Sequence, residues 1–217
     1  MKTIRTRVFF AFMFFAMPVF TQQPLAAGTS SATQTLKVSI DAILDVLKTP
    51  EFKGDEKKEI RRQKIRDIVL HGFDFGRMAQ SSLGKHWRGR TPEEKQDFAV
   101  RFQRLLENTY ISKLETYTNE KVVYLDEQRE TKKEREYAKV QTQIITADGT
   151  EIPIAYMMHR QGTNPWMVFD INIEGVSMVN NYRSQFGEFL AQKSFSELLK
   201  DIDAKNSSES GGIHNKT

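Results

Sequence analysis

The sequence predicts a single α+β domain: N-terminal helices, a curled antiparallel sheet of about four strands, then C-terminal helices. Three observations carry that reading. Apolar residues recur at helical spacing early in the chain, as at Leu36, Ile40, Ile43, Leu44 and Leu47. The period drops to two in the middle, where Val140, Thr142 and Ile144 alternate with polar neighbours. Helical spacing then returns at Val179, Tyr182, Phe186 and Phe189. Helices, then strands, then helices, without regular βα alternation, define the α+β class.

The elements follow in order. The first helix stops before Pro50, because proline lacks the amide that a helix interior needs. A second helix is predicted from about Glu56 to Leu70, with Ile60, Ile65, Ile68 and Val69 inward and His71-Gly72 at its end. Phe73 to Trp87 reads as a short, partly helical stretch. Thr91-Pro92-Glu93-Glu94 is a helix start: threonine caps, proline fits the first turn, and Glu94 completes a capping box. The long helix that follows is expected to reach about Thr118.

The first strand begins at Val122-Val123-Tyr124-Leu125, and the charged segment Arg129 to Glu134 reads as a turn. Tyr137 to Thr146 is the second strand, and Asp148-Gly149 marks a hairpin. Ile152 to His159 is the third, with Pro153 placing an edge or bulge near its start. Trp166 to Ile173 is the fourth, with Trp166, Val168, Asp170 and Asn172 on one face. Glu174-Gly175 turns the chain into the last helical region, and Ser194 to Ile202 forms a further short helix.

The ends read differently. Residues 1–27 resemble an export signal: Lys2, Arg5 and Arg7 precede the 13-residue apolar run Val8–Phe20, and Leu25-Ala26-Ala27 offers a cleavage site. Residues 28–34 are a polar, flexible lead, residues 35–202 the folded domain, and residues 203–217 a tail without a core to join. The signal holds three of the Lys and Arg residues and no acid, so the whole-chain charge of +4 falls to about +1 once it is removed. No basic stripe remains for nucleic acid. Lys57 to Arg66 is locally basic but interrupted by acids, and reads as a solvated helix face.

Catalytic chemistry is poorly represented. The chain has no cysteine, which excludes disulfides and thiolate sites. His71, His86, His159 and His214 show no metal-ligand spacing, and no serine-elbow or Walker motif is present. Asp170 and Glu174 read as a strand end and a turn rather than an acid–base pair. No enzyme activity, cofactor or metal is expected. What the chain does hold is aromatic and methionine-rich apolar surface, consistent with either an ordinary core or a ligand cavity.

Two segments decide between those. Trp166-Met-Val-Phe-Asp-Ile-Asn-Ile-Glu-Gly-Val-Ser-Met-Val-Asn-Asn-Tyr-Arg-Ser-Gln-Phe186 resembles the signature of the MlaC family, also called the toluene-tolerance or organic-solvent-resistance auxiliary family. Phe73-Asp-Phe-Gly-Arg-Met-Ala-Gln-Ser-Ser-Leu-Gly-Lys-His-Trp87 is a second match, and the resemblance spans about residues 36–202. It implies a periplasmic, Gram-negative phospholipid carrier that maintains outer-membrane lipid asymmetry. Its implied partners are an inner-membrane ABC transporter complex with an MCE-domain subunit and an outer-membrane lipoprotein–porin complex. A carrier for hopanoid or another apolar lipid, or a non-lipid interaction module, is the alternative.

The resemblance also implies that the fold encloses an apolar lipid cavity. The candidate lining is Phe98, Phe102, Leu105, Met157, Trp166, Val168, Val176, Val179, Tyr182 and Phe186. Arg183 could meet a lipid phosphate or a carboxylate of its own protein, and the structural pairing is favoured. Gly175 is expected to allow the sharp strand-to-helix turn, and Ser177 to cap the helix.

Overall fold

The computed structural model describes residues 30–116 and 120–211, and the side chains among them up to Ser208. The expected export signal, residues 1–27, lies outside the described residues.

Helix α1 (Ala32–Lys48) is capped by Ser31, whose hydroxyl accepts from the Gln34 amide at 2.9 Å. It therefore starts inside the segment expected to be a flexible lead. A further tie holds it there: the Thr33 amide and hydroxyl both donate to the Glu127 carboxylate, at 2.7 and 2.5 Å. Two short 3₁₀ turns lead to α2 (Lys58–Gly72). The basic run on α2 is not a free solvated face. Arg61 and Arg62 both pair with Glu115, and Arg66 pairs with the buried Glu107, which ties α2 to the next long helix.

Helix α3 (Phe75–Leu83) is capped by Asp74 and followed by a 3₁₀ turn, Gly84–Trp87. The long α4 (Pro92–Leu114) starts at the expected capping box: Thr91 Oγ1 accepts from the Glu94 amide, and the Glu94 carboxylate accepts from the Thr91 amide.

The sheet is a five-stranded antiparallel meander in the order β1 (Lys121–Lys132), β2 (Arg135–Ile145), β3 (Glu151–Gln161), β4 (Met167–Ile173) and β5 (Val176–Ser177). Two expectations are corrected. The Arg129–Glu134 segment is mostly strand, because Lys132 pairs with Arg135 across a two-residue turn in which Lys133 takes φ 58°. The two-residue β5 adds a fifth strand. Pro153 lies in a strand flanked on both sides, but the ladder to β4 begins only at Ile154, so its position is locally an edge.

Glu174 (φ 49°) and Gly175 (φ 87°) make the turn into β5 and then α5 (Met178–Leu190). The last helix, α6 (Phe195–Gly211), corrects the expected tail at 203: helix continues nine residues past Ile202. No apolar residue holds that extension. Polar contacts to α4 do: Arg101 pairs with Asp203 at 2.9 Å, Asn206 Nδ2 donates to the Arg101 carbonyl, and Asn108 Nδ2 reaches Asn206.

Two apolar cores result. One lies among α3, α4, α5 and α6, around Met78, Leu83, Phe98, Phe102, Phe186 and Leu198. The other lies between α1 and the sheet, around Leu36, Ala138, Val140, Met158, Trp166 and Val168. Phe73 and Ile171 are the half-buried residues that pack against both.

Candidate functional site

The sequence-predicted lining residues separate in the structure. Phe98, Phe102 and Phe186, with Tyr182, form one aromatic stack in the helical core, with ring centroids 5.2–5.8 Å apart. Phe195 of α6 and Trp87 close on the same stack, so Phe98 has no exposed surface. Leu105 and Val179 are buried beside it. This is a filled core, with Tyr182 and Phe189 of α5 half-buried at its margin.

Trp166 and Val168 belong to the other core. Trp166 is pinned: its Nε1 donates to the Ser30 carbonyl at 3.1 Å, and the Arg160 and Arg129 guanidinium groups lie over its ring. Arg160 is itself buried and held by both oxygens of Glu136, at 2.7 and 2.9 Å.

Two of the ten candidates are misplaced for an interior lining. Val176, 62% exposed, lies in the short edge strand β5, just before α5. Met157 pairs with Lys139 and so faces away from the buried Ala138, Val140 and Met158, because side chains alternate along a strand.

The geometry between the cores comes from a bulge. In the β3–β4 ladder Met158 pairs with Val168 but Met157 pairs with Asp170, so Phe169 is the extra residue. Before the bulge Val168 faces the core. Beyond it the phase reverses, and Ile171 takes the inner face in place of Asp170 and Asn172. The reversal also leaves Asp170 free to brace the next helix. Its carboxylate accepts from the Ser177 hydroxyl at 2.5 Å and the Val179 amide at 3.0 Å. Ser177 in turn accepts from the Asn180 amide, the expected cap of α5.

Val140, Tyr156 and Ile171 are therefore aligned directly across β2, β3 and β4. Tyr124 and Ile40 pack against the same sheet-side core, and Tyr110 on α4 packs against the helical one. All but Val140 keep part of their surface free. The result is a seam between the two cores with apolar walls and three phenols, Tyr110, Tyr124 and Tyr156. Burial pushes the Tyr156 hydroxyl up to about 12. Tyr124 is raised as well, first by burial and then by the nearby Asp41 charge and Tyr156. The Tyr124 hydroxyl is buried without a hydrogen-bond partner among the described residues. These seam residues were not among the sequence candidates. Only the bulge puts Ile171 in phase with Tyr156, and no sequence period announces a bulge.

Arg183 meets a carbonyl of its own protein rather than the expected carboxylate. Its Nε donates to the Ser81 carbonyl at 2.7 Å, at the C-terminal end of α3, where cations are favoured. The Gly84 backbone (φ 57°) lies so close that an added Cβ would meet the Arg183 side chain at 3.4 Å.

A mostly apolar seam, flanked by two packed cores, is the architecture of a small binding protein. Among the described residues no group of three or more His, Asp or Glu side chains is placed to hold a metal, and no helix is long and apolar enough to cross a membrane. The chain belongs to the MlaC family: the family model described as MlaC protein matches residues 37–204. It is similar to the intermembrane phospholipid transport system binding protein MlaC of Haemophilus influenzae, at 23% identity over 186 residues, covering 83% of this chain and 85% of that protein. The fold is similar to that of a phospholipid-binding protein from Ralstonia solanacearum solved in complex with a phospholipid. The TM-score is 0.71 at 24% identity, covering 83% of this chain and 99% of the other.

Proposed function

We propose that this protein is a periplasmic phospholipid carrier, not an enzyme, and that it takes acyl chains into the seam between its helical and sheet-side cores. One observation carries the reading: the two cores are bridged chiefly by Phe73 and Ile171, leaving half-buried apolar surface on both sides. Family membership and the phospholipid named for both relatives support the choice of ligand. A diacyl lipid carries on the order of 30 chain methylenes, each costing ~0.8 kcal/mol in water, or about 24 kcal/mol in all. A carrier must cover most of that surface, while the headgroup stays in water at the mouth.

The proposed lining combines Tyr182 from the sequence candidates with Tyr124, Tyr156 and Ile171 from the structure, all half-buried at the margins of the two cores. In this reading the carrier shuttles lipid between an outer-membrane lipoprotein–porin complex and an inner-membrane ABC transporter with an MCE-domain subunit. It thereby serves outer-membrane lipid asymmetry.

Native mass spectrometry of protein purified without detergent, followed by extraction of the bound molecule, tests the reading. The expected result is a one-to-one adduct of phospholipid mass. A hopanoid adduct would replace the cargo. A bare mass that persists after incubation with phospholipid vesicles would end the carrier reading.

A further inference from the structure

A second feature lies outside the seam. A groove of about 1200 Å³ opens at the end of the molecule where α3, the 3₁₀ turn after it, the start of β2 and the side of α5 meet. Its walls carry the cations Arg77, Lys85, Arg88, Arg135 and Arg183 against one carboxylate, Asp74. That carboxylate is already engaged, by His159 Nε2 at 2.8 Å and the Arg77 amide at 2.8 Å.

Most arginines outside the groove are neutralised: Arg61, Arg62, Arg66, Arg90, Arg101, Arg129 and Arg160 each have a carboxylate partner, and the exposed Arg104 is the exception among the described residues. Among the described residues none of the five groove cations has one. Arg77 is instead spread over the rings of Phe169 and Tyr137, at 4.5 and 5.3 Å, which fixes its guanidinium without neutralising it. Arg183 is fixed by the Ser81 carbonyl. Two ring nitrogens on the groove wall, His159 Nδ1 and His86 Nε2, are buried and lack a partner among the described residues.

We infer that this groove is a docking site for an acidic peptide segment of a membrane-bound partner protein. The inference rests on the carrier reading and deepens it by supplying a grip on the partner, in a groove whose Leu83 and Trp87 wall backs onto the helical core. Shape and charge select the occupant. The cations are spread along walls contributed by four chain segments, too many and too dispersed for a single phosphate. A concave, polar groove also cannot lie flush on a bilayer, whereas an extended acidic segment can enter it and meet several guanidinium groups at once. Such pairing speeds encounter and sets orientation, as a carrier that must present its seam to a membrane complex requires.

The test uses the full mature chain and a fluorescein-labelled oligoglutamate peptide, read by fluorescence anisotropy. K85E/R88E reverses two exposed groove charges that make no hydrogen bond or ion pair among the described residues. It is expected to weaken peptide binding by at least about tenfold at low salt. The neutral pair K85Q/R88Q is expected to fall between it and the wild type. K53E/K57E, at the start of α2, makes the same charge change far from the groove and should leave binding almost unaltered. Equal loss in K53E/K57E and K85E/R88E would overturn the inference, since binding would then follow net charge alone. So would full peptide binding in K85E/R88E, or charge-dependent binding to phosphatidylglycerol vesicles without peptide binding. Lipid content of the same samples keeps the two readings apart. A K85E/R88E protein that retains lipid but loses peptide upholds both, whereas a wild type that binds peptide but never lipid sinks the carrier alone.

Discussion

Ile171 and Phe186 are both apolar, yet they occupy opposite kinds of environment. Phe186 is 3% exposed and touches three other rings, so deleting its ring leaves a cavity. Phe186→Ala is expected to cost about 3–5 kcal/mol in urea unfolding. Ile171 is half-buried and packs against both cores rather than inside one. Ile171→Trp is therefore expected to cost no more than about 1–3 kcal/mol while cutting the lipid bound per protein severalfold. Unchanged lipid content in a folded Ile171→Trp protein would remove Ile171 from the lining. Asp74 offers a separate test. Its hydrogen bond to His159, helped by the Arg77 amide, holds the Asp74 carboxyl below its ordinary 3.8 despite partial burial. A depressed carboxyl contributes stability that is present above the unfolded value and lost as pH falls through the folded one. The stability gap between wild type and Asp74→Asn should accordingly be widest near pH 6 and shrink below about pH 3.8. A gap that stays constant down to pH 3 would show that the His159 contact does not discriminate between the charged and neutral acid.

Among the elements, α6 shows where sequence periodicity stops informing. Phe195, Leu198, Leu199 and Ile202 make an apolar stripe, and periodicity alone predicts that the helix ends with it. The further turns carry only small, polar and charged residues, and they persist because Arg101 and Asn108 on α4 meet Asp203 and Asn206. An exposed ion pair is worth ~0–1 kcal/mol and a neutral hydrogen bond ~1 kcal/mol. Deleting residues 203–217 is expected to lower stability by about 1–2 kcal/mol, measured as a shift in Tm. An unaltered Tm would mean that the latch adds nothing to folding. The capping box of α4, the Gly175 turn and the Ser177 cap were legible in the sequence because each rests on neighbours within a few residues. The bulge at Phe169 and the α6 latch were not, because each depends on a partner far away along the chain. The same limit explains the site: hydrophobic text identified the walls of the cores, while the phase of β4 decided which residues face the space between them.

At the scale of the whole molecule, two cores are built to different degrees of completion. The helical core is closed by stacked rings, and α2 is fastened over α4 by Arg61, Arg62 and Arg66. The sheet-side core is closed chiefly by α1, with Tyr124 and Tyr156 keeping free surface toward the seam. A ligand that fills the seam stabilises the folded state by mass action, ~2.7 kcal/mol at a hundredfold excess over Kd. Extraction of lipid is therefore expected to lower Tm by roughly 5–10 °C, and reloading from vesicles to restore it. Hydrogen exchange should report the same event, with amides of β3 and β4 protected on loading more than those of α4.

The division into two cores joined through Phe73 and Ile171 reaches beyond binding. Under the proposed carrier function the cargo would be a third layer, and the protein would be incomplete whenever it is empty. Proteases sample an opened form in proportion to its population. Occupancy and lifetime would then be one variable, and the standing pool of intact carrier would follow the supply of lipid without any separate sensor.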